Sequence, residues 1–202
     1  MDKNQKTVQA YDKNPQFYAD KFDSYGIRID DIDRAIKLNE SGSNLVLELG
    51  CGNGKDAEYI VSKVGKDNYV GLDASEGLIE LARTKVSHVT FKIEDMRKIS
   101  VTPETYGIIF SFASLLHLKQ GEMADLVKKS CQSLKKGGVL YISSRYGPYR
   151  EKKLMNLGDE KYYYYYKPED IKEVCEQGFE LVYNTIHDGD YGPSFTVALR
   201  KI

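Results

Sequence analysis

The chain has 202 residues, 41% of them hydrophobic, and 29 Lys and Arg against 30 Asp and Glu leave a formal net charge of -1. That length suits a single domain with a sizeable core, and the near balance of charge argues against a dedicated nucleic-acid binder, which shows a basic excess or stripe. With no apolar run of about 18 residues and a polar start from Met1 to Asp30, neither a membrane span nor a signal peptide is expected, and the reading is a cytoplasmic protein.

In chain order, two helices at roughly 4–21 and 28–39 open the sequence. A strand near 45–49 runs into three alternate glycines, Gly50, Gly52 and Gly54. Helices near 54–65, 75–85 and 121–135 then alternate with strands near 69–73, 88–93, 106–112 and 138–144, the pattern of a parallel sheet with helices on both faces. A helix near 168–177 follows Pro168, and strands near 179–187 and 194–200 flank a loop from Asp188 to Pro193, so the last strand is expected to be antiparallel to the others. The three cysteines, Cys51, Cys131 and Cys175, are widely separated and give neither a disulfide framework nor a metal knuckle. His88, His117 and His187 have no metal-ligand spacing, and no metal site is expected.

Glycine serves where backbone turns at unusual φ or must approach a ligand with no Cβ in the way. Three of them between a buried strand and a helix, with a second strand ending in Asp73, predict a nucleoside site. The spacing excludes two common ligand loops. A dinucleotide fingerprint would place its third glycine one residue later, where Lys55 stands. A phosphate-binding loop would need Ser or Thr after that lysine, where Asp56 stands.

The run Glu48-Leu49-Gly50-Cys51-Gly52-Asn53-Gly54 resembles the first motif of the class I S-adenosylmethionine-dependent methyltransferases. Three further segments resemble that family in the same order: Val89 to Met96, Tyr106 to Leu118, and Leu134 to Ser143. Together they cover roughly residues 44–144, and agreement across several segments weighs more than any one match. The resemblance implies a Rossmann-like, doubly wound α/β fold with a seven-stranded sheet whose C-terminal strand is antiparallel. It implies one domain over 1–202, with cap helices in 1–40, a cofactor-binding core in 44–144, and a substrate-side segment with a C-terminal hairpin in 145–202. S-adenosyl-L-methionine is the implied cofactor and S-adenosyl-L-homocysteine the product. Carried over by position, the cofactor residues are Glu48, the loop of Gly50, Cys51, Gly52 and Gly54, then Asp73 with Ala74 for the ribose hydroxyls. Glu94, Asp95 and Met96 are carried over toward the adenine, and Ser111 and Tyr18 toward the methionine end.

Substrate contacts are expected from the least motif-like stretches. Tyr11 and Tyr18 lie seven apart on one helical face; they either dock that face on the sheet or present rings to the sulfonium. His117, just past the fourth strand, is either a substrate contact and proton acceptor or a lid residue. Arg145 has the planar fork that suits a carboxylate or phosphate, and Tyr146 stands beside it. The run Tyr162 to Tyr166, read as a strand, puts Tyr163 and Tyr165 on one face and Tyr162, Tyr164 and Tyr166 on the other. The expected activity is in-line methyl transfer to a small-molecule acceptor by a monomer or homodimer, without nucleic acid or membrane. Modification of RNA or protein, or cofactor binding without turnover, are the other readings.

Overall fold

The computed structural model describes residues 1–175, 178–189 and 192–202. Three helices come first: α1 (Lys3–Lys13), α2 (Pro15–Asp23) and α3 (Ile29–Leu38). The single helix expected over 4–21 is therefore two. Pro15 has no N–H to donate and its ring pushes the preceding residue out of the helical region; Asn14 sits at φ -138°, ψ 52°, and Pro15 takes the first turn of α2. α1 begins on a reciprocal cap, in which the Gln5 amide donates to the Asp2 carboxylate at 2.7 Å and the Asp2 amide donates to the Gln5 side chain at 2.8 Å.

The central alternation follows as β1 (Val46–Leu49), α4 (Ala57–Val64), β2 (Tyr69–Asp73), α5 (Glu76–Lys85), β3 (Thr90–Ile93), β4 (Tyr106–Phe112), α6 (Gln120–Ser133) and β5 (Leu134–Arg145). Then come β6 (Arg150–Asn156), β7 (Asp159–Tyr165), α7 (Pro168–Val174), β8 (Phe179–His187) and β9 (Ser194–Lys201). Residues 176 and 177 of the expected α7, and Asp190 and Tyr191 of the expected loop between the last strands, lie outside the described residues.

Seven strands form one sheet in the order β3-β2-β1-β4-β5-β9-β8. β1 to β5 pair in parallel, and β9 runs antiparallel to both its neighbours, β5 and β8. The central strands β1, β4 and β5 are largely buried because both faces of the sheet are covered there. Ile32 of α3, Ile60 of α4 and Ile79 of α5 pack with Val46, Ile108 and Phe110 on one face. Leu126 of α6 and Ile171 of α7 pack with Leu47, Leu49 and Ile109 on the other. The chain order reverses between β1 and β4, and ligands of open α/β sheets sit in the crevice past the carboxyl ends of the strands at such a point.

β6 and β7 form a separate two-stranded ribbon. Its turn has positive φ at both central residues, Leu157 at 52° and Gly158 at 83°, the type I′ geometry that matches strand twist. The sequence reading missed β6, whose residues Arg-Glu-Lys-Lys-Leu-Met-Asn show no apolar alternation because the strand is largely exposed. The ribbon is fastened to α1 by Lys3–Glu151, Lys6–Glu160 and Lys13–Asp159 ion pairs, and by the buried Thr7 hydroxyl, which accepts from the Tyr162 amide at 3.0 Å. Exposed pairs of this kind contribute little singly, so Thr7 and the buried tyrosines carry the docking. The alternation read from the tyrosine run holds: Tyr162, Tyr164 and Tyr166 enter the core, while Tyr163 and Tyr165 face a cavity.

Candidate active site

A cavity of about 770 Å³ opens at the switch point, floored by the ends of β1, β2, β4 and β5 and roofed by α1, α2 and the β6–β7 ribbon. That volume is within the range of small-molecule sites. At its β1–β2 end the chain turns at Gly50, φ 73°, and Gly52, φ 56°. A Cβ on Gly50 would fall 2.3 Å from Ser114 Cβ, so only glycine lets the loop pass under the segment after β4. Ser114 locks that crossing by donating to the Leu49 carbonyl at 2.5 Å, with Ser111 bonded to it at 2.9 Å.

Asp73 closes β2 and faces the loop. Its Oδ2 accepts from the Gly52 amide at 2.8 Å and its Oδ1 from the Ser75 amide at 2.9 Å. Burial raises its pKa above the ordinary carboxylate value, against those amides. An ionised carboxylate has about four lone-pair positions; two are used, and the rest are available on the cavity wall. Two vicinal hydroxyls match that remaining capacity, so the residues present fit a ribose.

Glu48, 2% exposed, accepts from the Tyr69 hydroxyl at 2.5 Å. Its pKa is pushed up to about 8 by burial and by the charge of Asp56. Asp95 accepts from the Arg97 amide and from its guanidinium at 2.7–3.1 Å, which holds its pKa low despite burial. The same guanidinium reaches Asp2 and Glu122, so it joins the start of α1 to the cavity rim. The polar residues of the glycine loop hold the roof: Asn53 donates to Ala19 and Asp23 of α2, and Lys55 to the Gly26 carbonyl.

The other end of the cavity is aromatic. Tyr11 and His117 are 3.1 Å apart, hydroxyl to Nε2, and His117 Nδ1 is 3.1 Å from the Tyr162 carbonyl. A carbonyl only accepts, so Nδ1 carries the proton and Tyr11 donates to Nε2. Burial holds the His117 pKa down to about 4, with the charge of Lys161 acting in the same direction and the Tyr162 carbonyl opposing. The imidazole is neutral and its one basic nitrogen is occupied by Tyr11. Lys161, 3% exposed, lies 4.2 Å from the Tyr18 ring centroid, 4.9 Å from that of Tyr11 and 5.7 Å from that of Tyr163. The Tyr18 ring, read as a partner for a sulfonium, thus carries an ammonium.

Of the residues read as cofactor or substrate contacts, the cavity wall includes Tyr11, Tyr18, Glu48, Gly50, Cys51, Gly52, Asp73, Ala74, Asp95, Met96, His117, Arg145 and Tyr163. Four are elsewhere. Gly54 turns toward α5 and β3, where a Cβ would meet Ala82 and Phe91 at 3.1 Å. Ser111 is buried behind Ser114, Glu94 gives its amide to the Asp73 carbonyl at 2.8 Å, and Tyr146 packs against the core. The reading missed Lys161, which shares its strand face with Tyr163 and Tyr165 by the two-residue period; extending that alternation one step back would have found it. It also missed Ser143 and Ser144, whose buried hydroxyls have no partner among the described residues and line the same cavity.

Residues 46–138 match a family model described as a methyltransferase domain. Malonyl-[acyl-carrier protein] O-methyltransferase of Bacillus cereus is 30% identical over 110 residues, which is 54% of this chain and 40% of that enzyme. Alignments with relatives of this kind span between 36% and 62% of the relatives' own length. Among solved structures, an S-adenosylmethionine-dependent methyltransferase from Clostridium acetobutylicum superposes with a TM-score of 0.71 at 14% identity, covering 95% of this chain and 99% of that one. Magnesium protoporphyrin IX methyltransferase from Synechocystis, solved with its bound cofactor, gives a TM-score of 0.65 at 16% identity, over 86% and 78% of the two chains. Similarity at this level of identity establishes the fold.

Proposed function

We propose, from the match of residues 46–138 to a methyltransferase-domain family model, that this protein transfers the methyl group of S-adenosylmethionine to a small-molecule acceptor. The observation that carries the reading is Asp73, held by Gly52 and Ser75 at the switch point with lone pairs left for two hydroxyls. Bound there, S-adenosylmethionine supplies an electrophilic methyl group on sulfur.

The chain's own contribution is position. Asp73 would hold the ribose hydroxyls, and the Gly50–Gly52 backbone would face the ligand without a Cβ in the way. Asp95, with both oxygens already engaged by Arg97, has less acceptor capacity left for an adenine amino group than Asp73 has for the ribose. At the aromatic end, His117 fixes the direction of the Tyr11 hydroxyl instead of taking a proton directly, because its accepting nitrogen is already bonded. Orientation of this kind supplies a large part of the acceleration of a two-reactant step. A small acceptor is favoured by the roof of α1, α2 and the ribbon, which gives the site aromatic side walls in place of a broad groove.

The test is transfer of radiolabelled methyl from S-adenosylmethionine into separated small-molecule, RNA and protein fractions of a cell extract. Label in the small-molecule fraction is expected. Label confined to RNA or protein contradicts the acceptor class.

A further inference from the structure

We propose that Lys161 is an anion anchor in the acceptor end of the cavity, and that the acceptor accordingly carries a carboxylate alongside the atom that is methylated. The inference rests on the methyl-transfer reading for the identity of the ligand, and on the cavity itself for its charge.

Lys161 is unusual among the lysines of the chain. Its side chain is almost fully withdrawn from solvent, yet no carboxylate of the described residues lies within ion-pair distance of its ammonium. Three tyrosine rings surround it instead, from α1, α2 and its own strand. Ring faces stabilise a cation without neutralising it, and a buried charge without a counter-ion is costly. The charged and titratable groups that face it do not supply one. His117 is neutral, Tyr11 and Tyr163 keep their protons because burial raises both pKa values, and Lys21 of α2 adds a further positive charge. Burial, with Lys21 assisting, holds the Lys161 pKa down to about 8, so most of the population is charged at neutral pH.

A ligand carboxylate resolves this arrangement. It would meet a desolvated ammonium, where a charge-assisted hydrogen bond is strong, and it would stand between two cations, Lys161 and the sulfonium that the methyl-transfer reading brings to the same cavity. The unpartnered hydroxyls of Ser143 and Ser144 on the same cavity wall offer donors for the polar atoms of such a ligand. The rings of Tyr163 and Tyr165 give it flat walls.

Benzoate and benzamide are matched probes, close in shape and different in charge. Each is titrated into the full chain saturated with S-adenosylhomocysteine. Benzoate is expected to bind roughly tenfold or more tightly than benzamide, and Lys161→Met is expected to erase that preference while leaving the affinity for S-adenosylhomocysteine within about twofold. In the unaltered chain the benzoate preference should be full below pH 7 and fade as pH rises through about 8, a readout that does not require the variant to fold. Equal binding of the two probes, binding of neither, or a preference that survives in Lys161→Met overturns the proposal. A tenfold loss of S-adenosylhomocysteine affinity in Lys161→Met also overturns it, and gives the ammonium to the cofactor's own carboxylate. Failure of the unaltered chain to bind S-adenosylhomocysteine is the separate result that removes the underlying reading.

Discussion

Glu48 shows how a buried carboxylate on the cavity wall shapes stability. The folded protein holds its proton far more tightly than the unfolded chain does, with a pKa near 8 against an ordinary 4.5. A folded-state pKa that is raised favours the native state at low pH, and that advantage is lost as pH climbs from 4.5 toward 8. Glu48→Gln keeps an acceptor for the Tyr69 hydroxyl and removes the titration. Its melting temperature is therefore expected to exceed that of the parent by about 3 °C or more at pH 8, with the gap closing by pH 5; parallel curves across that range would contradict the assignment. Legibility at this scale followed chemistry. Asp73 was readable because an acid after a strand, beside glycines, has few other uses. For Lys161 only the strand face was readable, from the alternation with Tyr163 and Tyr165; its enclosure by rings of α1 and α2 was not.

Among the elements, the sheet strands and their helices were legible from apolar runs and glycine breaks, and the observed bounds fall within a few residues of the expected ones. Two features escaped. Pro15 divides the first helix, a boundary that the rule for residues preceding proline already contained. The lid strand β6 escaped because its pairing comes from a type I′ turn with leucine, not glycine or asparagine, at the first positive-φ position. The separation of the cysteines in sequence also concealed a contact, since α6 and the end of α7 bring Cys131 and Cys175 Sγ to 3.2 Å. Contact with Cys175 and burial raise the Cys131 thiol well above its ordinary pKa, which slows its oxidation. Prolonged incubation with oxidised glutathione is nevertheless expected to give one intramolecular disulfide, the glutathione being reduced. Mass spectrometry should show a loss of two hydrogens, with one titratable thiol, Cys51, in the denatured chain. Stable addition of glutathione, or three thiols remaining, would contradict it.

At the scale of the molecule, the fold and the β1–β2 end of the cavity were legible because both follow from local rules: alternation, glycine geometry and an acid at a strand end. The acceptor end was not, because it is assembled from segments far apart in the chain, among them α1, α2, the turn at His117, the end of β5 and the ribbon. Which rings enclose which cation is decided by their packing. The central claim is that the crevice between β1 and β4 binds S-adenosylmethionine through Asp73. Isothermal titration of the purified chain with S-adenosylmethionine and S-adenosylhomocysteine, alongside Asp73→Ala and His117→Ala, tests it most directly. The account predicts micromolar binding of both ligands, loss of at least a hundredfold in Asp73→Ala, about 2.7 kcal/mol, and retention in His117→Ala. Undiminished binding by Asp73→Ala, or no binding by the unaltered chain, would contradict it.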